Sequence, residues 1–207
     1  MPGHHARMMS KSYGEHRSQT ATPTVTLTER PEQALFHLSV SVETETASTA
    51  LPLLKRSALR LEELLPPLGA KLTVTDFDLP TEAGKSGTSS CRLHAFLTLP
   101  FGKDAPFWER AQKLAQVDDL LRALVIEGKK QKPALEVRRD LPAFVVADPE
   151  LRRAALVTRL HERARSLGHD VSLKELRFDR PVEQRSVSLE EVQLSLSIEG
   201  GAEVALR

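Results

Sequence analysis

Residues 34–42 read ALFHLSVSV. Phe36, Leu38, Val40 and Val42 alternate with His37, Ser39 and Ser41, the period-two pattern of a strand with one buried and one wet face. The period then changes. Leu51, Leu54, Ala58, Leu61 and Leu65 recur at three- and four-residue steps, so the spacing predicts an amphipathic helix over 48–65. Ser48 or Thr49 can cap its start, Pro52 fits in a first turn, and Pro66, Pro67 and Gly69 end it. KLTVTDFDL at 71–79 reads as a second strand, 80–90 as a polar loop and CRLHAFLTL at 91–99 as a third strand, with Leu93, Ala95, Leu97 and Leu99 on one face. The opening strand thus begins a strand–helix–strand–strand unit.

Asp104 and Pro106 open a further helix over about 105–126, with Phe107, Ala111, Leu114 and Leu121 inward and Gly128 as its stop. GKKQKP at 128–133 is a basic connector. The first order of elements then recurs: a strand over 134–147, a helix over 149–167, a strand over 171–178 and a long strand over 187–198 with Val192, Leu194, Leu196 and Ile198 on one face. The expected architecture is α+β: duplicated strand–helix–strand–strand units with helices packed on largely antiparallel sheet. Residues 1–22 read as a disordered tail. Residues 23–207 read as a single domain with related halves at about 24–101 and 134–199, joined by the 105–126 helix.

The second-half helix is written clearly. Asp148 can accept from the N–H groups of its first turn, Pro149 is a favoured first residue, and Gly168 supplies a left-handed stop. Ala154, Val157, Leu160, Ala164 and Leu167 form its expected buried stripe.

The chain has 207 residues, 40% hydrophobic and only 4% aromatic, so its core rests on Leu, Val and Ala with Phe36, Phe77, Phe96, Phe144, Phe178 and Trp108 as anchors. Twenty-nine basic and 28 acidic residues nearly cancel, unlike the strongly basic footprint of a dedicated nucleic-acid binder. Cys91 is the single cysteine, which excludes an intrachain disulfide and a cysteine-based metal site. No stretch approaches the roughly 20 apolar residues of a membrane span, and the N-terminus lacks a signal-peptide core of about 7–15 apolar residues. As it stands the sequence points to the cytoplasm, and to the periplasm if the true start lies upstream.

Motifs for chemistry are incomplete. GKSGTSS at 84–90 lacks the first glycine of a phosphate loop and precedes a strand instead of a helix. HERAR at 161–165 has Arg165 where a zinc-protease helix needs its second histidine. The acidic pairs Glu62-Glu63, Asp118-Asp119 and Glu190-Glu191 are sequence neighbours whose side chains diverge. His4, His5 and His16 read as tail residues. Lys129, Lys130, Lys132, Arg138, Arg139, Arg152 and Arg153 make a candidate patch for an anionic partner, diluted by Glu136, Asp140, Asp148 and Glu150.

Two segments carry a family resemblance. ERPEQALFHLSVSVETETASTAL at 29–51 resembles the opening of SIMPL domains, with Pro31, Glu32 and Ala34 in the turn before the first long strand. LPAFVVADPELRRAALVTRLHERARSLG at 141–168 is similar to that family's strand, acidic cap and Ala-rich helix. The resemblance spans about 24–199 and implies a non-enzymatic α+β binding or assembly domain, self-associating, with no catalytic residues and no cofactor, in some members linked to the cell envelope or stress defence. Bacterial members are usually exported, whereas no leader is visible here. One alternative is an adaptor using the basic 128–153 region against an acidic protein or nucleic acid. Another is an enzyme with a site assembled from distant residues, for which Cys91, His94 and His37 are the nameable candidates.

Overall fold

The computed structural model describes residues 24–79, 89–166 and 180–197. Among these lie strands β1 (Thr24–Glu29), β2 (Gln33–Thr44), β3 (Lys71–Asp78), β4 (Ser89–Pro100), β5 (Leu135–Arg139), β6 (Ala143–Val145), β7 (Glu183–Ser188) and β8 (Glu191–Ser197), and helices α1 (Ala47–Leu64), α2 (Phe107–Lys130) and α3 (Arg153–Ser166). The fold is α+β, and every strand pairing is antiparallel. The expected strand at 171–178 and the stop at Gly168 lie outside the described residues. Among the described residues no helix is long and apolar enough to cross a membrane.

The larger sheet has the order β3-β4-β2-β5, with β6 also on β2. Read along the chain, β2-α1-β3-β4-α2-β5 is a split β-α-β arrangement of the ferredoxin-like kind. The helix at 107–130 is therefore the second helix of this six-element unit. A smaller sheet, β1-β8-β7, joins strands from the two ends of the described chain. The sheets thus do not divide where the two expected halves meet: β1 joins β8, while β5 and β6 join β2.

Alternation in β2 decides which face is buried. Ala34, Phe36, Leu38, Val40 and Val42 are buried, and with Leu97 and Leu99 of β4 they meet Leu54, Ala58 and Leu61 of α1 and Val117 and Leu121 of α2. Leu51 is exposed, because α1 begins at Ala47 and its stripe runs through Ala50 instead. The cap is Thr46, whose hydroxyl accepts from the Thr49 N–H at 3.3 Å, and Pro52 lies inside the helix on an exposed turn.

The inward stripe of α2 also differs from expectation. It passes through Arg110, Leu114, Val117, Leu121, Leu124 and Gly128, while Phe107 is exposed and packs edge-on against the still more exposed Trp108. A hydrophobic pattern misses this phase because a charged residue occupies an inward position. Gly128 does not stop the helix; it lies buried within it, where a Cβ would come 2.8 Å from the Leu135 carbonyl oxygen.

The Arg110 guanidinium is the joint between the sheets. It donates to the carbonyls of Ala105 at 3.0 Å, Pro31 at 3.0 Å and Leu189 at 3.4 Å, and lies 5.1 Å over the Phe101 ring. Those carbonyls belong to the β4–α2 loop, the β1–β2 turn and the β7–β8 turn. Arg30 adds a bond to Ala105 and an ion pair to Glu190. Burial lowers the Arg110 pKa and so does Arg30, against the opposing pull of Glu190 and Glu109.

Beyond β6, Val25, Leu27, Leu156, Leu160, Val192, Leu194 and Leu196 close a second core between α3 and the smaller sheet. The expected long strand 187–198 is a hairpin, β7 and β8, turning at Leu189–Glu190. Asp148 is a cap as expected, accepting from the Glu150 N–H at 3.0 Å, with Pro149 the first residue after it. That first turn, Pro149–Arg152, is 3₁₀. Its tighter winding, three residues per turn, rotates the phase of the adjoining α3. Among the described residues of α3, Leu156 and Leu160 are consequently buried and Ala154 is exposed, with Val157 packed partly against them, while the expected Ala164 and Leu167 side chains lie outside the description.

Candidate functional site

Both helices of the split unit cover the same face of the larger sheet. Among the described residues no helix packs on the other face, which carries Leu35, His37, Ser39 and Ser41 of β2 and Arg92, His94, Phe96 and Thr98 of β4. His37 lies opposite Phe96 and Ser39 opposite His94, so the two histidines are diagonal neighbours on one face, a spacing that aromatic side chains can bridge. His94 Nδ1 and His37 Nε2 are 3.4 Å apart. The ring centroids are 5.5 Å apart with planes at 15°, so the two nitrogens lie on the facing edges of the rings. Phe96 tilts against His37 at 5.4 Å.

A carboxylate holds each outer nitrogen. His94 Nε2 is 2.9 Å from Asp78 Oδ2, and His37 Nδ1 is 3.1 Å from Asp140 Oδ2. The result is a line, Asp78–His94–His37–Asp140, running from edge strand β3 across β4 and β2 to the end of β5.

A β-bulge lies beside each aspartate. Strict alternation along β3 would send Asp76 and Asp78 inward with Leu72. Pairing instead shifts between Val74 and Asp76, and Thr75 is the extra residue. Phe77 therefore turns to the core, while Asp76 and Asp78 turn to the histidines. On the other side Leu38 opposes Arg139 but Leu35 opposes Ala143. Three residues, 140–142, thus span the gap opposite two, 36–37. Asp140 keeps the open-face register, its N–H donating to the His37 carbonyl at 3.1 Å, and the extra residue falls at Leu141-Pro142. Proline is at home in such a bulge because no ladder hydrogen bond is asked of it.

Proton counting describes what the line can do. A neutral imidazole has one N–H. If each ring donates it to its aspartate, the facing nitrogens present two lone pairs to one another. One further proton between them satisfies all three contacts, and a fourth would set two N–H groups against each other. With that tautomer the open face presents two imidazole nitrogens, 3.4 Å apart, to one electrophile.

Beside the line, the β5–β6 bulge borders an open groove of about 510 Å³ lined by Phe36, Leu114, Asp118, Arg122, Arg139 and Asp140. Arg139 points to the helix side and is paired with Asp118, which also holds Arg122 at 2.6 Å. Burial raises the Asp118 pKa, but the hydrogen bonds and charges of Arg139 and Arg122 outweigh it and leave the carboxyl below its ordinary value. A depressed folded pKa contributes stability that is fully present above the unfolded value, about 3.9, and is lost as pH falls through the folded one. The gap in melting temperature between the native chain and Asp118→Asn is expected to be open at neutral pH and to close on acidification below about pH 4. A constant gap across that range would contradict this.

The candidate basic residues are placed separately. Arg138 and Arg139 are strand neighbours on opposite faces, Arg138 pairing with Glu136 at 2.8 Å. Arg152 pairs with Glu29 and Glu32, and Arg153 with Glu150. Lys129 and Lys130 end α2, and Lys132 lies just beyond it in the connector. Of the three nameable catalytic candidates, His37 and His94 come together, while Cys91 is fully buried on the helix side with Val42, Ala50 and Leu54. Among the described residues no group of three or more His, Cys, Asp or Glu side chains is placed to hold a metal. Asp78 and Asp140 are the members of the line that sequence reasoning missed, and Phe96 beside it, expected as a core anchor, is 41% exposed. The signal for Asp78 was a change of phase within KLTVTDFDL, apolar at even positions up to Val74 and at odd Phe77 thereafter.

No protein-family model matches the chain, and no curated protein matches it. Among the solved structures that match, two are similar over part of their length. One, described as an amidohydrolase/peptidase from Burkholderia cenocepacia, is 18% identical with a TM-score of 0.33, covering 68% of this chain and 34% of that one. The other, an amidase of the hydantoinase/carbamoylase family from Burkholderia phymatum, is 18% identical with a TM-score of 0.35, covering 74% and 38%. The chain spans little more than a third of the length of either, and a likeness of that extent assigns it no function.

Proposed function

We propose that the protein is a non-catalytic binding and assembly domain of SIMPL-like character, working through the open face of its larger sheet and occupied there by a second copy of itself. The observation that carries this reading is a sheet face on which no helix packs among the described residues and where Phe96 is 41% exposed beside the histidine line. The sheet edges are poorer pairing surfaces. β3 is bulged and carries Lys71, Asp76 and Asp78, devices that blunt an edge. The N–H groups of Phe144 in β6 and of Val146 just after it are already engaged by the Ser186 hydroxyl and the Gln184 side chain of β7. Face-to-face stacking is the mode this reading takes, and a role at the cell envelope or in stress defence belongs to the same proposal.

Light scattering across a wide concentration range is expected to show a dimer. Phe96→Asp should weaken it by at least about tenfold, since it desolvates an unpartnered carboxylate. A protein that stays monomeric at every concentration, or a dimer indifferent to Phe96→Asp, would overturn the reading.

A further inference from the structure

We propose that His37 and His94 are the two protein ligands of a divalent transition-metal site, of the zinc or copper class, on the open face. Two nitrogens bound at about 2.0–2.1 Å to one tetrahedral ion lie about 3.3–3.4 Å apart. His37 Nε2 and His94 Nδ1 are 3.4 Å apart, on facing ring edges. Imidazole is a preferred donor for zinc and copper.

The outer nitrogens supply the second argument. A metal-bound histidine almost always donates its other N–H to a carboxylate or carbonyl, which fixes the tautomer and makes the bound nitrogen more basic. Here Asp78 takes that place for His94 and Asp140 for His37, at 2.9 and 3.1 Å. Both carboxylates come from strands re-phased or interrupted by a bulge, and with the outer nitrogens so held the inward nitrogens face one another at 3.4 Å. Asp78 and Asp140 are therefore positioning residues, not ligands. They also place two negative charges near a dication, with Asp76 and Glu136 on the same side and Lys71, Arg92 and Arg138 among the cations of this face. In the monomer the ion's remaining positions face away from the sheet, because the described chain contributes two ligands and Phe96 walls one side. The site shares its face with the assembly surface but does not depend on it, since a monomer carries both histidines.

The test is titration with Zn²⁺ followed by calorimetry, and with Cu²⁺ followed by electron paramagnetic resonance. The protein used is the full chain with His4, His5 and His16 changed to alanine, so that tail histidines do not contribute. One zinc per chain and a copper spectrum with two nitrogen donors are expected. His37→Ala and His94→Ala should each weaken binding more than tenfold, and Asp78→Asn or Asp140→Asn by about 10–100-fold, the usual effect of removing a ligand's supporting carboxylate. Unchanged circular dichroism of the metal-free variants separates lost ligands from lost fold, and light scattering on the same samples reports assembly independently. Zinc binding of equal strength in His37→Ala, or a copper spectrum without imidazole nitrogens, would overturn the proposal.

Discussion

Replacing Arg110 with alanine is expected to destabilise the protein by about 3–5 kcal/mol, from buried carbonyls that lose a charged donor and from the cavity left by a large buried side chain. The side chain is 1% exposed, and its guanidinium holds carbonyls from three separate loops. Truncation leaves the Pro31 and Leu189 carbonyls without this donor, leaves that of Ala105 to Arg30 alone, and opens a cavity against Phe101. Arg110→Met keeps most of the stem and should recover the packing part only. Arg110→Lys keeps the charge but not the planar fork that reaches several acceptors at once, so it should fall between the other two. Urea unfolding followed by circular dichroism measures the series. A loss below about 1 kcal/mol for alanine, the range of a surface residue, would mean that Arg110 is not the joint between the sheets.

Gly128→Ala tests the same packing with opposing effects. In an open helix the change should stabilise by about 1 kcal/mol, because glycine loses more backbone freedom on folding than alanine. Here the added methyl would meet the Leu135 carbonyl oxygen at 2.8 Å and the Leu135 Cβ at 3.3 Å. The obstacle is the backbone of β5, which cannot rotate away as a side-chain tip would. Overpacking of this kind costs about 1–3 kcal/mol, so the overlap should win and the variant unfold at lower urea. A stabilised variant would show that α2 does not run against β5 at this position.

Local patterns made some of this structure legible and hid the rest. ALFHLSVSV marked β2, its buried face and the α+β class, because binary alternation reports one buried face directly. The helix at Ala47–Leu64 and the Asp148 cap were visible for the same local reasons. Three features were hidden because no local rule generates them. Arg110 breaks the apolar stripe of α2, and its warrant is three carbonyls distant in sequence. The 3₁₀ turn after Asp148 rotates the buried face of α3 from Ala154 to Leu156. The bulges at Thr75 and Leu141-Pro142 re-phase two strands, so strict alternation mis-assigns Asp76 and Asp78 and runs β5 and β6 together. The histidine line depends on the strand order β3-β4-β2-β5, which pattern alone does not specify. His37 and His94 could be placed on wet faces, but not beside one another.

The line itself is the central claim, and long-range ¹H–¹⁵N correlation of the imidazole rings tests it most directly. His94 is expected to carry its proton on Nε2 and His37 on Nδ1, each donated to its aspartate, with the facing nitrogens coupled. His37→Gln should then shift the His94 ring nitrogens, and Asp78→Asn should disturb the resonances of both rings. A His94 ring protonated only at Nδ1, or unchanged when His37 is replaced, would contradict the assignment of the open face as a built site.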